Sequence, residues 1–502
     1  MRRLFSKRSS RPRHRHHIDG ITARREGGAF RVAVVGWVVL DGERVARDLV
    51  LSGGGSEVRC TALYRPDFMA VPGGKPDETQ LPGFRAEMTL PAEVSELVLS
   101  GSTPDGERVE IWRQKVDPAR YLSSESDPVT RLSTFEFVRK LPMKPSAPRR
   151  PGLTRDRLVV DWIVPDFSRG AGGHVAIFRA IAGLEKEGVR CRIWIVHSSR
   201  HGSPEAVRRA VGESFVPVDA EVYFLLPEDI AQVDGDAGVA TDRWTAYYLR
   251  SAPVGHRFYL VQDFEPAFYP AGAAYLLAEN TYRFGFTTIV SSPWLASLMC
   301  AYQPGLPIEF RYGVDHATYH PAKSSGAQPP PVDPHRVVFY ARANTERRAV
   351  EVGMVALEVL AERRRDFEVV CFGESLGDLR TPFPCRDAGI LSASELAELY
   401  RSASVGLVFS ATNHAIIPKE MMACGLPVME LDGASTRAVY PEDVLAWAPS
   451  DPFVIAEKLE FLLDHPKERE RLRETGLRFV REFEWDEEIA KITGAIFESM
   501  GL

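Results

Sequence analysis

Three stretches of the chain set charge at the end of an apolar run. In "FYARANTERRAVEVG", Arg342 leaves a predicted strand and Arg347 stands at the entrance of the following helix, with Arg348 competing for its role. Two guanidinium groups so placed balance the charge of a diphosphate and bind it bidentately. In "YLVQDFEPAFYP", Asp263 and Glu265 come just beyond a strand. Such carboxylates orient hydroxyl groups or accept a proton. A solvated turn before Pro266 is the plainer reading, although Phe264, Phe268 and Tyr269 make full exposure unattractive. In "SATNHAIIPKEMMACGLPV", Pro418 suits a first helical turn, and Glu420 lies in that turn, where the helix dipole favours an anion. Stability alone explains that placement. A ribose held by Glu420, with Thr412, Asn413 and His414 as neutral polar groups upstream, explains it equally well.

A fourth stretch, "SRGAGGHVAIFR", sets Gly170, Gly172 and Gly173 between a strand and a helix that His174 opens. Backbone amides can approach a phosphate there. The alternative is a tight turn serving helix–sheet packing. A dinucleotide fingerprint fits poorly, because Arg169 and Ala171 interrupt the glycines and no acid closes the next strand.

The elements that must position these residues fall into three regions of a 502-residue chain, too long for one core. Residues 1–22 read as a basic disordered tail: the first seventeen carry seven Arg or Lys and no acid. Solvation or contact with an anionic membrane surface suits such a tail. Residues 23–118 show short strands broken at Asp-Gly turns, which predicts a β-sandwich. A polar, proline-rich linker spans 119–156. From 157 the pattern becomes βα alternation, with near-continuous apolar strands such as "RLVVDWIVPDF" and "VRCRIWIVHS". That pattern predicts a parallel sheet covered on both faces. The proline-rich "PAKSSGAQPPPVDPH" divides it into two Rossmann-like domains, 157–325 and 336–484, facing a cleft. Ligands of such sheets bind beyond the strands' carboxyl ends.

A net charge of −6 gives no general basic excess, so nucleic acid is not an expected partner. Cys60, Cys191, Cys300, Cys371, Cys385 and Cys424 are scattered without a CxxC pair, which argues for free thiols in a reducing, cytoplasmic compartment. No apolar run is long enough to cross a bilayer.

Residues 157–500 resemble the retaining GT-B glycosyltransferases of family 4, most closely the WsaF-like bacterial rhamnosyltransferase branch. The resemblance rests on "VQDFEPAFYP", "RYGVDHATYHP", "FYARANTERRAVEVG" and "GLVFSATNHAIIPKEMMACGLPV". It implies an acceptor-binding first domain, a nucleotide-sugar-binding second domain and a final helix, 485–502, crossing back to the first. Arg342 matches the family's diphosphate arginine, and Arg347 falls where a lysine or arginine follows. Glu420 matches the second glutamate of an E-x7-E element that holds the ribose, while Thr412 replaces the first. Gly373 and Glu374 end the strand before the nucleobase pocket, whose wall "AGILSASELAELY" helps form. Gly313, Asn413 and His414 go with the donor side; Gly172, Gly173, His174 and Glu265 go with the acceptor side. Arg342, Arg347 and Asp263 are the expected catalytic set.

The implied reaction moves L-rhamnose from dTDP-β-L-rhamnose to a glycan or lipid-linked glycan of the cell surface, without metal or other cofactor. Another nucleotide hexose or amino sugar, or a noncatalytic glycan-binding protein, is the alternative. Peripheral membrane contact and a homo-oligomer are compatible expectations.

Overall fold

The computed structural model describes residues 14–26, 29–40, 44–45, 47–63, 83–91, 93, 95–102, 106–118, 135–142, 153–168, 170, 172–197, 201, 203–322, 332–377 and 380–502. The chain forms two compact units, residues 1–133 and 134–502.

The first unit is built from antiparallel strands. One sheet orders His14–Glu26, Ala29–Leu40, Gly83–Pro91 and Thr61–Leu63, with Arg44–Val45 also paired to the second of these. The other orders Ser56–Arg59, Arg47–Gly53, Ser95–Ser102 and Arg108–Val116. Alternate residues of Gly83–Pro91 and Ser95–Ser102 point inward, the period of two that strands impose. Val32, Val34 and Phe84 of one sheet share a core with Leu51, Leu97, Leu99 and Ile111 of the other.

The structure corrects the expected disordered tail at its end. Residues 14–22 belong to the strand His14–Glu26, in register from His14 opposite Leu40 to Glu26 opposite Ala29. Ile18, Ile21 and Ala23 supply the apolar contacts that hold it on the core. The rest of that basic segment, residues 1–13, lies outside the described residues, as do most of the expected 119–156 linker and "KSSGAQPPP" of the interdomain linker.

The second unit holds two parallel sheets. The earlier lobe orders Glu221–Leu225, Arg190–Val196, Val159–Pro165, Ala237–Ala240, His256–Val261, Thr287–Val290 and Ile308–Glu309. The later lobe orders Cys385–Asp387, Glu368–Phe372, Arg336–Tyr340, Val405–Leu407, Val428–Leu431 and Ala446–Ala448. Each sheet begins at its centre and reverses direction of growth beside its first strand. That reversal opens a crevice at the carboxyl ends.

Two elements depart from the sequence reading. The four-residue strand Ala237–Ala240 is central to its sheet yet too short to stand out as a pattern. The helix Glu136–Lys140 lies inside the expected linker but belongs to the earlier lobe: Phe137 stacks on Tyr248 at 5.3 Å and meets Trp244 edge-on. At the other end of the chain, the helix Trp485–Met500 returns to pack on the helix Gly172–Lys186, with Arg179 over the Trp485 ring at 5.1 Å. Among the described residues no helix is long and apolar enough to cross a membrane.

Candidate active site

A cavity of about 310 Å³ lies between the two lobes of the second unit. Its lining brings together four arginines, Arg243, Arg342, Arg347 and Arg348, and three carboxyls, Asp242, Asp263 and Glu265. His174 and His414 also reach it.

The later lobe supplies three of the arginines from one turn. Its first strand, Arg336–Tyr340, ends just before Arg342, whose Nη1 donates across the cleft to the Gly170 carbonyl at 3.2 Å. A 3-10 turn, Glu346–Arg348, then meets the helix Val350–Arg363 at Ala349, which holds φ +44°. A non-glycine residue in the left-handed region stores strain, and here it turns Arg347 and Arg348 toward the cavity. Arg348 is fixed by a buried relay: its Nη1 donates to Ser410 Oγ at 2.7 Å, and that hydroxyl donates to Glu430 Oε2 at 3.2 Å. Glu430 is fully buried, and burial pushes its pKa up to about 8.

Gly373 closes the same wall. It has φ +106°, and a Cβ there would come within 2.6 Å of the Tyr340 ring, so only glycine fits. Its N–H donates to the Gly389 carbonyl, which ties it to the neighbouring Ile390 and Leu391 of the apolar wall. Glu374 accepts from the Asn344 N–H at the rim and does not line the cavity.

The earlier lobe faces these groups with its carboxyls. Asp263 is wholly engaged: Oδ1 accepts from the Phe264 and Asn413 N–H groups, and Oδ2 lies 2.9 Å from Arg347 Nε. That last contact is an ion pair by distance, since Arg347 Nε lacks the geometry of a hydrogen bond. The expected catalytic pair thus bridges the lobes. Asp263 is a clamp between the lobes in this conformation. Glu265 accepts from the Arg243 N–H at 2.5 Å and pairs with its guanidinium at 3.5 Å. Burial pushes its pKa up to about 8.

Asp242 and Arg243, which the sequence reading misses, begin the helix Arg243–Ser251 through a capping box of Asp242 with Thr245. The signal is present as "TDRWTAYYL", an acid followed three residues on by a hydroxyl. It is hidden because the strand before it is so short.

On the glycine loop, Gly172, Gly173 and His174 all line the cavity. His174 packs on Phe167 and Phe178, and burial lowers its pKa to about 4.

Besides Glu374, four more of the expected donor-side residues do not line the cavity: Gly313, Thr412, Asn413 and Glu420. Gly313 is not at the cavity: a Cβ there would come within 2.6 Å of the Trp485 backbone, so it serves the close approach of the returning helix. Asn413 does not line the cavity either, because its amide is used up between the lobes, against Gln262, Ser291 and Ser292. Thr412 is buried beside it, with an unpartnered hydroxyl.

Glu420 sits in the same turn as Ile416 and Ile417, which do line the cavity. Its carboxyl is raised to about 8 by burial and the nearby negative charge of Asp315, against a hydrogen bond from Tyr319 and the positive charge of Arg179. The next residue inward, Lys419, is fully buried, donates to the Tyr312 carbonyl at 2.7 Å and lies over the Phe483 ring.

Comparison with known proteins gives this geometry a context. Residues 335–459 match the family described as WsaF, C-terminal domain. The O-antigen biosynthesis protein RfbC of Myxococcus xanthus is 31% identical over 351 residues, 66% of this chain. The chain spans about a quarter, 26%, of that relative's length. Among solved structures, HepE of Anabaena in complex with UDP-glucose aligns with a TM-score of 0.55 at 13% identity, covering 68% of this chain and 100% of that one. A glycosyltransferase of Rickettsia africae aligns at 0.50 and 12%, covering 68% and 99%. At such identities the structural likeness bears on fold. The lobes of residues 134–502 have the GT-B fold, and the later lobe is similar to the WsaF C-terminal domain.

Proposed function

We propose that the protein is a retaining glycosyltransferase of bacterial surface-polysaccharide biosynthesis, taking its sugar from a nucleoside diphosphate. The observation that carries this reading is the set of Arg342, Arg347 and Arg348, converging at a strand's carboxyl end on a cavity between two lobes. A diphosphate leaving group needs such directed positive charge as the bond to the sugar breaks. The likeness to a UDP-glucose-binding structure and to an O-antigen biosynthesis protein supports the same reading.

In this reaction the acceptor hydroxyl forms a bond to the anomeric carbon on the face the diphosphate leaves. The carbon–oxygen bond to the phosphate breaks, and the acceptor's proton passes to the departing phosphate oxygen. No protein nucleophile is required. That suits a site whose Asp263 is already paired with Arg347. The finer reading, from the sequence resemblance, is transfer of L-rhamnose from dTDP-β-L-rhamnose, with Glu420 on the ribose, no metal or other cofactor, and the antiparallel unit as an accessory β-sandwich.

The test is a panel of nucleotide sugars incubated with the full chain, followed by product analysis. dTDP-rhamnose should be turned over, and Arg342→Ala should lower the rate by about 10²–10³-fold. Turnover only with another donor would remove the rhamnose reading, and no turnover with any donor would favour a glycan-binding protein.

A further inference from the structure

Arg347 belongs to the later lobe, yet the two side chains that hold its guanidinium belong to the earlier one. Its Nε lies 2.9 Å from Asp263 Oδ2, and its Cζ lies 4.4 Å from the centroid of the Phe268 ring. The contact with Asp263 is an ion pair without hydrogen-bond geometry, so it sets a distance and leaves the plane of the guanidinium free. The ring supplies the missing constraint, because a guanidinium is drawn over the face of an aromatic quadrupole. Arg347 keeps 30% of its side chain exposed and lines the cavity, as Phe268 does. Arg348 differs: it is 8% exposed and tied to Ser410 within its own lobe.

Phe268 is itself fixed. It ends the 3-10 turn Glu265–Phe268, in which Pro266 presets the backbone and the Tyr269 N–H donates back to the Pro266 carbonyl. The Tyr282 hydroxyl braces the start of that turn, accepting the Glu265 N–H at 3.1 Å and donating to the Asp263 carbonyl at 3.2 Å. Arg243 also lies over the Phe268 ring, 5.4 Å from its centroid. One braced segment, 263–268, thus carries both groups that hold Arg347.

We propose that Phe268 is a positioning residue for the sugar transfer, orienting Arg347 toward the departing diphosphate. The proposal rests on the nucleotide-sugar reading above. The Asp263 carboxylate holds the arginine but also neutralises it, and an entering diphosphate competes with it. The ring holds the arginine and leaves its charge available to phosphate oxygens. Because ring and arginine come from different lobes, Arg347 is oriented in this way only when the two lobes are together.

The test is a double-mutant cycle on the full chain, read as initial rates with the nucleotide sugar chosen by the donor panel. Phe268→Leu keeps an apolar side chain and removes the aromatic face. It should lower kcat about tenfold and change the donor KM by about twofold or less. Phe268→Tyr, which restores the ring, should bring back most of that rate. In an Arg347→Ala background, Phe268→Leu should cost nothing further, because the group it orients is gone. An equal loss in both backgrounds would mark a general structural role and overturn the proposal alone, as would a Phe268→Leu enzyme with the parent's kcat. A parent chain that turns over no nucleotide sugar would overturn it together with the transferase reading.

Discussion

Glu265, Glu420 and Glu430 are carboxyls that folding takes out of water. Burial holds each at about 8, against an ordinary value of 4.5. The folded chain therefore keeps protons that the unfolded chain releases between those values, and stability falls as pH rises through that window. Melting temperature should be lower at pH 8 than at pH 5. Glu420→Gln should flatten part of that slope and raise Tm at pH 8 by about 1–2 °C. If Glu420 also holds the ribose, the same variant should bind UDP or dTDP about tenfold more weakly by calorimetric titration; unchanged affinity would reject the ribose role. At this scale the sequence is a partial guide. Arg342, Arg347, Asp263 and Glu265 stand out because each follows an apolar strand. Asp242 and Arg243 do not, since a four-residue strand gives no pattern to follow. Glu430 is readable only as a charge inside "LPVMEL", where nothing local reveals that it serves Arg348 through Ser410.

The turn between the strand Arg336–Tyr340 and the helix Val350–Arg363 shows how an element sets the site. Its left-handed Ala349 aims two arginines, at a cost that glycine would not incur. Ala349→Gly should therefore raise stability by about 0.5–1 kcal/mol, whereas a β-branched residue should lower it by about 1–2 kcal/mol and slow turnover, as read by denaturant unfolding and initial rates. A Gly variant less stable than the parent would show that the strain is not there. The βα alternation of this lobe is legible because its strands are apolar on both faces and its helices are long. The φ of Ala349 is not, because alanine carries no sequence signature of that conformation. The helix Glu136–Lys140 is lost in a polar stretch for a related reason: five residues give too little periodicity, and its place depends on Trp244 and Tyr248, remote in sequence.

Across the second unit, one network closes the lobes on each other: Asp263 with Arg347, Asn413 with Gln262, Ser291 and Ser292, and Arg342 with Gly170. Sequence shows two α/β lobes and the groups at their strand ends. It does not show these pairings, which join residues 84 to 172 positions apart. Asn413 and Gly313 look like ligand residues in sequence for the same reason, and prove to be contacts between lobes and with the returning helix. A diphosphate entering the cavity would compete with Asp263 for Arg347 and with Gly170 for Arg342. The most direct measurement is a crystal structure of the full chain with the nucleoside diphosphate of its preferred donor. The account predicts both phosphates in the inter-lobe cavity, with oxygens at hydrogen-bond distance from Arg342 and from Arg347 or Arg348. A nucleotide bound elsewhere, or phosphates facing the earlier lobe with these arginines still held by Gly170 and Asp263, would contradict it.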